Sequence, residues 1–168
     1  MAGHVIQPGQ RIQFDLPTAN LYTHAPLNMP IEVIHGKYSG PVLLICAAIH
    51  GDELNGVEII RRLLKRKSLQ SIRGTLLAVP VVNVHGFLHQ SRYLPDRRDL
   101  NRSFPGSAKG SIAARLANTF LKQIVTKADY GIDLHTGAIN RSNLPQIRGN
   151  LGDEKTLELA RAFGVPVI

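Results

Sequence analysis

The sequence has no tryptophan, a single cysteine and only 5% aromatic residues. One thiol excludes an internal disulfide, and Cys46, set in the apolar stretch 41–49, reads as a small core residue. No apolar run approaches the roughly 20 residues needed to cross a bilayer. Residues 1–30 also lack the basic start and apolar centre of a signal peptide. A cytoplasmic location is therefore the default expectation, with no membrane partner. Acidic residues are scarce too: 12 Asp and Glu stand against 20 Lys and Arg, a net charge of +8. The densest basic cluster is Arg61, Arg62, Lys65, Arg66 and Lys67. Val57, Ile60, Leu63 and Leu64 recur at helical spacing among these bases, which fits a solvated helix face. A basic nucleic-acid-binding module is the rival reading. Without interleaved aromatics or a recognition motif, no nucleic-acid partner is expected.

What the sequence does contain is enough apolar residue, 43% of 168, for one domain spanning 1–168. Residues 11–16 alternate as a short edge strand would. Residues 31–35 and 41–49 read as two strands joined by a turn at Tyr38-Ser39-Gly40. The second is almost wholly apolar, as suits a strand buried on both faces. A helix is expected over 52–67, a strand over 75–82, a long Gly-, Pro- and Arg-rich loop over 85–110 and a helix over 112–125. A strand at 130–134, a loop over 137–152 and a helix at 154–163 complete the order. Strands alternating with helices predict an α/β fold: a mostly parallel central sheet with helices on both faces. The chain stops on Val165-Pro166-Val167-Ile168, which reads as the opening of another strand, so a C-terminally truncated domain is expected.

Ligands in such sheets bind beyond the carboxyl ends of the strands, and three polar clusters fall there. His50-Gly51-Asp52-Glu53 follows the strand 41–49. A separation of three puts His50 and Glu53 on one side of a helix, where an imidazole and a carboxylate can share a metal ion. Spacing alone is weak, because a solvated His-x-x-Glu pair is common. Asp133-Leu134-His135-Thr136-Gly137 closes the strand 130–134. His135 would complete a His₂Glu set that leaves zinc an open position, and Asp133 is a candidate partner for an imidazole. The third cluster holds Arg92, Arg97, Arg98 and Arg102, with Asp96, Asp99 and Asn101 among them. Guanidinium groups bind carboxylates and stabilise oxyanions, though a surface loop paired with its own aspartates gives the same composition. His85 and His89, four apart, are a rival metal pair; Gly86 lies between them, no helix is expected there and no third ligand is evident.

Four motifs occur in order: His50-Gly-Asp-Glu53-Leu-Asn-Gly56, Pro80-Val-Val-Asn83-Val-His-Gly86, Asp99-Leu-Asn101-Arg102-Ser-Phe-Pro-Gly and Asp133-Leu-His135-Thr-Gly137. Together they resemble the succinylglutamate desuccinylase/aspartoacylase family, relatives of the zinc carboxypeptidases. The resemblance runs from about Pro30 to the final residue. It implies a zinc carboxypeptidase-like mixed sheet, with one Zn²⁺ per chain held by His50, Glu53 and His135. It also implies a substrate carboxylate bound by Asn101 and Arg102, and an arginine that holds the developing oxyanion. Arg92 matches that arginine, with Arg98 as competitor. The activity implied is hydrolysis of the acyl amide of an N-acyl amino acid or similar small anionic substrate, or of an ester. In the family a glutamate general base and a β-rich domain come after the third ligand. Neither has a counterpart here, and Glu58, Glu154 and Glu158 are not persuasive replacements. A metal-binding but catalytically silent chain is thus an alternative. The sheet edge such strands would cover also invites pairing with a second copy.

Overall fold

The structure, a computed structural model, describes residues 3–20, 24–138 and 141–168. Residues 21–23, in the opening segment, and 139–140, in the loop expected over 137–152, lie outside the described residues. In chain order the elements are β1 (Arg11–Asn20), β2 (Pro26–His35), β3 (Tyr38–Ala47), α1 (Asn55–Leu63) and β4 (Arg73–Val79). They continue with α2 (Val84–Leu88), α3 (Ile112–Gln123), β5 (Tyr130–Leu134) and α4 (Glu154–Phe163).

The five strands form one sheet in the order β1-β2-β4-β3-β5. β3 pairs in parallel with both β4 and β5, whereas β2 is antiparallel to β1 and β4. Strand β2 alone therefore runs against the rest, which makes the sheet mixed and mostly parallel, as expected. Alternation along β3 divides the core in two. Leu44 and Cys46 join Leu77, Val79 and the α3 residues Ala113, Leu116, Ala117 and Phe120. Ile45 and Ala47 join Leu76, Ala78 and the α1 residue Ile60 on the other face. Helices α1 and α3 thus cover opposite faces. Burying each large apolar side chain contributes about 1.5–3 kcal/mol, so the two layers hold β3 between them.

Several expected boundaries move. The residues Tyr38-Ser39-Gly40 lie within β3, and the reversal sits at Gly36 and Lys37 instead. Gly36 donates to the Gly74 carbonyl at 2.8 Å, and a Cβ there would meet the Ile72 carbonyl oxygen at 2.1 Å, so the tight approach needs glycine. The first helix begins at Asn55 and ends at Leu63, shorter than 52–67. The 85–110 segment is not a featureless loop: it contains α2, an antiparallel bridge between Tyr93 and Asp99, and a 3-10 turn at Leu100–Arg102. Buried Leu94 and Leu100 anchor it to the core. Val167 forms an isolated bridge with Gln146 and joins no named strand. No helix among the described residues is long and apolar enough to cross a membrane.

Candidate metal centre

The neighbouring strands β3 and β5 deliver the candidate ligands in register, with Cys46 opposite Asp133 and Ala47 opposite Leu134. Beyond Ala47 the chain turns through Ala48 at φ 50°, and the Glu53 N–H donates to the His50 carbonyl at 3.2 Å. His50 and Glu53 therefore face the same way because of a turn ahead of α1, and not because they share a helix. The turn is braced from behind. The Val82 and Asn83 N–H groups donate to the Ala47 and Ala48 carbonyls at 3.0 Å. The fully buried Asn83 amide donates to the Ile49 carbonyl at 3.3 Å and accepts from the Gly86 N–H at 2.8 Å, capping α2. Gly51 meets α2 backbone to backbone: a Cβ on it would lie 1.9 Å from the Gly86 carbonyl carbon.

One ligand atom each from His50, Glu53 and His135 can be chosen so that all lie within 4.8 Å of one another. Glu53 sits between the imidazoles. Its Oε1 is 2.9 Å from His50 Nδ1, and its Oε2 is 2.9 Å from His135 Nδ1 and accepts from the Thr136 N–H at 2.8 Å. The opposite nitrogen of each ring meets an aspartate: His50 Nε2 lies 3.0 Å from Asp99 and His135 Nε2 2.8 Å from Asp133. A carboxylate behind each imidazole orients the ring and raises its basicity. Two imidazole nitrogens and one carboxylate form a donor set that suits zinc and leaves a coordination position open.

Burial opposes ionisation of Glu53. The hydrogen bonds from His135, His50 and the Thr136 N–H outweigh it and hold the carboxyl far below the usual range. The hydrogen bonds to Asp133 and Glu53 push His135 up to about 10 against the opposing effect of burial. Asp99 is also lowered: burial acts to raise it, but His50, the Asn101 N–H and Arg92 prevail. Behind Asp133, the Cys46 thiol lies 3.5 Å from its Oδ1, and burial together with that carboxylate raises the thiol.

The Tyr93–Asp99 bridge sets Arg92 beside Asp99, at 3.1 Å from Nε and 2.9 Å from the terminal nitrogen. The same guanidinium comes to 3.6 Å from Glu53. Arg92 thus reaches the cluster, whereas Arg98 is exposed, its N–H donating to Asp96 at 3.3 Å. The Asn101 N–H donates to Asp99 at 2.8 Å, and the exposed Arg102 donates to the Asn101 carbonyl at 3.3 Å. Asp99 thereby joins the histidine turn to the basic loop, and Asn83 joins it to α2. Sequence reasoning gave neither residue these positions; the one available signal was that each lies in a motif.

Glu154 and Glu158 are exposed on α4, and Glu58 is bound to Arg61 and Arg62, which hold it down at about 2. His85 lies on α2 and His89 just beyond its last residue, Leu88, so a short helix does form where none was expected. Gly86 is accommodated because the turn is short and Asn83 caps it.

Residues 39–168 match the family described as "Succinylglutamate desuccinylase/Aspartoacylase catalytic domain". A curated relative, N-alpha-acetyl-L-2,4-diaminobutyric acid deacetylase of Halomonas elongata, is 31% identical over 144 residues, 82% of this chain and 42% of the relative. A solved succinylglutamate desuccinylase/aspartoacylase from Rhodobacter sphaeroides superposes with TM-score 0.81 at 29% identity, covering 93% of this chain and 50% of that one. The product-bound ectoine utilization protein EutE of Ruegeria pomeroyi gives TM-score 0.78 at 25% identity, covering 98% and 53%. A metallo-carboxypeptidase from Pseudomonas aeruginosa, with TM-score 0.52 and 20% identity over 67% of this chain and 32% of its own, shares the fold. The chain spans about half the length of the Rhodobacter sphaeroides and Ruegeria pomeroyi structures. With most of its length matched and both candidate histidine turns inside the match, the chain belongs to the succinylglutamate desuccinylase/aspartoacylase family.

Proposed function

We propose that this chain carries the metal-binding core of a zinc-dependent deacylase acting on the acyl amide of an N-acyl amino acid or similar carboxylate-bearing substrate, esters included. The observation that carries this reading is the convergence of His50, Glu53 and His135 within 4.8 Å at the carboxyl ends of two adjacent strands. Those residues would hold one zinc ion. Bound zinc lowers the pKa of a water molecule and polarises a carbonyl. The remaining work falls to the chain. Asp99 and Asp133 hold the imidazoles in one orientation. Arg92, beside the cluster, neutralises negative charge developing on the substrate oxygen. Asn101 and Arg102 hold the substrate carboxylate at the mouth of the site, and Arg98 adds positive charge to the approach. Self-association on this reading runs along the outer edge of β5.

One observation favours a second reading, that the chain binds metal but turns over slowly. Among the described residues Glu53, Asp99 and Asp133 each engage an imidazole, so none of these three carboxylates is free to shuttle a proton. The test has two parts. Metal analysis after dialysis should give about one zinc per chain, lost in His50→Ala and in His135→Ala; full occupancy in both variants would refute the ligand assignment. Hydrolysis of N-acetyl amino acids, measured on this chain and on a longer relative, then separates the two readings. Equal rates exclude the slow one.

A further inference from the structure

Arg92 and Asp99 reach the candidate metal centre from a short hairpin, and the tip of that hairpin is tied down by a residue remote from the cluster. The hairpin closes with the Tyr93–Asp99 bridge and with the Leu94 N–H donating to the Arg98 carbonyl at 3.1 Å. At the tip the Arg97 N–H donates to the Leu94 carbonyl at 2.9 Å. Arg97 itself sits at φ 57°, in the left-handed region where a residue with a side chain is strained. Such strain persists only where surrounding contacts over-determine it. The half-buried Asp96 supplies those contacts. Its Oδ1 accepts from the Arg98 N–H at 3.3 Å and closes the turn from within. Its Oδ2 accepts at 3.0 Å from the N–H of Ala113, in the first turn of α3.

Helix α3 does not depend on that second bond for a cap. Ser111 already provides one, its hydroxyl accepting from the Ala114 N–H at 3.2 Å. A carboxylate at a helix N-terminus is favourable, but the consequence of this one falls on the hairpin. Ala113, Leu116, Ala117 and Phe120 fix α3 in the core, so the tip is fastened to a rigid element. At the other end the Ser91 carbonyl accepts from the Gly51 N–H at 3.0 Å. Between these anchors stand Arg92, its Nε 3.1 Å from Asp99, and Asp99, 3.0 Å from His50 Nε2.

We propose that Asp96 is a positioning residue for the reaction: by tying the hairpin tip to α3 it holds Arg92 on Asp99 and aims both at the His50–Glu53 turn. The inference rests on the deacylase reading, in which Arg92 neutralises charge on the substrate oxygen. A misplacement of about 1 Å that originates far from the chemistry can cost about 100-fold in rate.

The test compares Asp96→Ala with Ser111→Ala in metal-free protein, with circular dichroism to verify folding. Each variant removes a hydrogen bond at the start of α3, so a merely structural role predicts the same response from both. The readout is solvent exchange of the Arg92 Nε–H followed by NMR, because that proton is held on Asp99. Asp96→Ala should speed the exchange by about tenfold or more, and Ser111→Ala should leave it as in the wild type. Asp96→Asn has the same shape and keeps one oxygen; it should fall between wild type and Asp96→Ala, and it carries the comparison if the alanine variant fails to fold. In a zinc competition assay Asp96→Ala should also weaken binding about tenfold through Asp99, with no loss in Ser111→Ala. Wild-type protein that takes up no zinc would count against the deacylase reading, while the exchange comparison still decides the role of Asp96. Exchange unchanged in the Asp96 variants, or accelerated equally in Ser111→Ala, overturns the proposal.

Discussion

Replacing each aspartate behind an imidazole by asparagine should weaken zinc binding unequally. In Asp99→Asn the amide must turn its oxygen to one neighbour and its nitrogen to the other. Oxygen toward His50 Nε2 leaves the amide N–H₂ facing the Arg92 guanidinium, donor against donor. The reverse setting breaks the contact with His50. Asp99 is also well enclosed, its side chain 14% exposed, so water relieves the conflict poorly. Asp133 faces milder neighbours. Its Oδ2 meets His135 Nε2, and among the described residues its Oδ1 meets only the Cys46 sulfur at 3.5 Å, which tolerates an amide nitrogen. Its side chain is 31% exposed, so water can assist. Loss of such outer partners weakens metal binding by about 10–100-fold. Asp99→Asn belongs at the upper end, about 100-fold or 2.7 kcal/mol, and Asp133→Asn near the lower, about tenfold or 1.4 kcal/mol. The assay is competition for zinc with a chromophoric chelator at fixed pH, with circular dichroism to verify folding. Equal losses, or a larger loss for Asp133→Asn, would refute the reasoning.

Gly51→Ala should destabilise the chain by about 3 kcal/mol or more, because the new methyl meets the main chain of Gly86 and Phe87, which cannot rotate away. Gly131→Ala, where nothing lies within 4 Å, should be neutral or slightly stabilising; similar urea midpoints for the two variants would contradict this. In metal-free protein, His135 is raised from 6.5 to about 10 in the folded state. Its stabilising contribution is therefore complete below about pH 6.5 and lost as pH rises toward 10. Glu53 is lowered, so its contribution is present above the unfolded value, about 4.3, and is lost in acid. The urea midpoint of metal-free protein should fall between pH 6.5 and 10, and less so in His135→Gln; parallel profiles would rule this out.

Much of the sheet was legible because local pattern and tertiary context agree. Strand 130–134 and helix 154–163 form where expected, the latter bounded by the Asp153 cap and by Gly164 in the left-handed region. At His50 and Glu53 the pairing was legible but its cause was not. A three-residue spacing fits a turn as well as a helix, and only the packing of Gly51 on Gly86 decides between them. Helix α2 was hidden because five residues containing a glycine show no periodicity. The position of Asp99 depends on the Tyr93–Asp99 bridge, a contact closed by the buried Leu94 and Leu100 and not by anything adjacent in sequence. Arg92 and Arg98 were indistinguishable by composition for the same reason: the bridge turns one toward the histidines and the other to solvent.

The register between β3 and β5 has a consequence for how such a chain can diverge. The two histidine-bearing turns leave strands joined by main-chain hydrogen bonds, so their separation is inherited from the spacing of about 4.8 Å between neighbouring strands. That ruler contains no side chain. Ile45, Leu44 or Leu77 can be exchanged for other apolar residues at some cost in stability while the distance from His50 to His135 persists. Superposition at TM-score 0.81 with 29% identity fits a candidate metal cradle whose dimensions belong to the backbone, leaving most of the core free to drift.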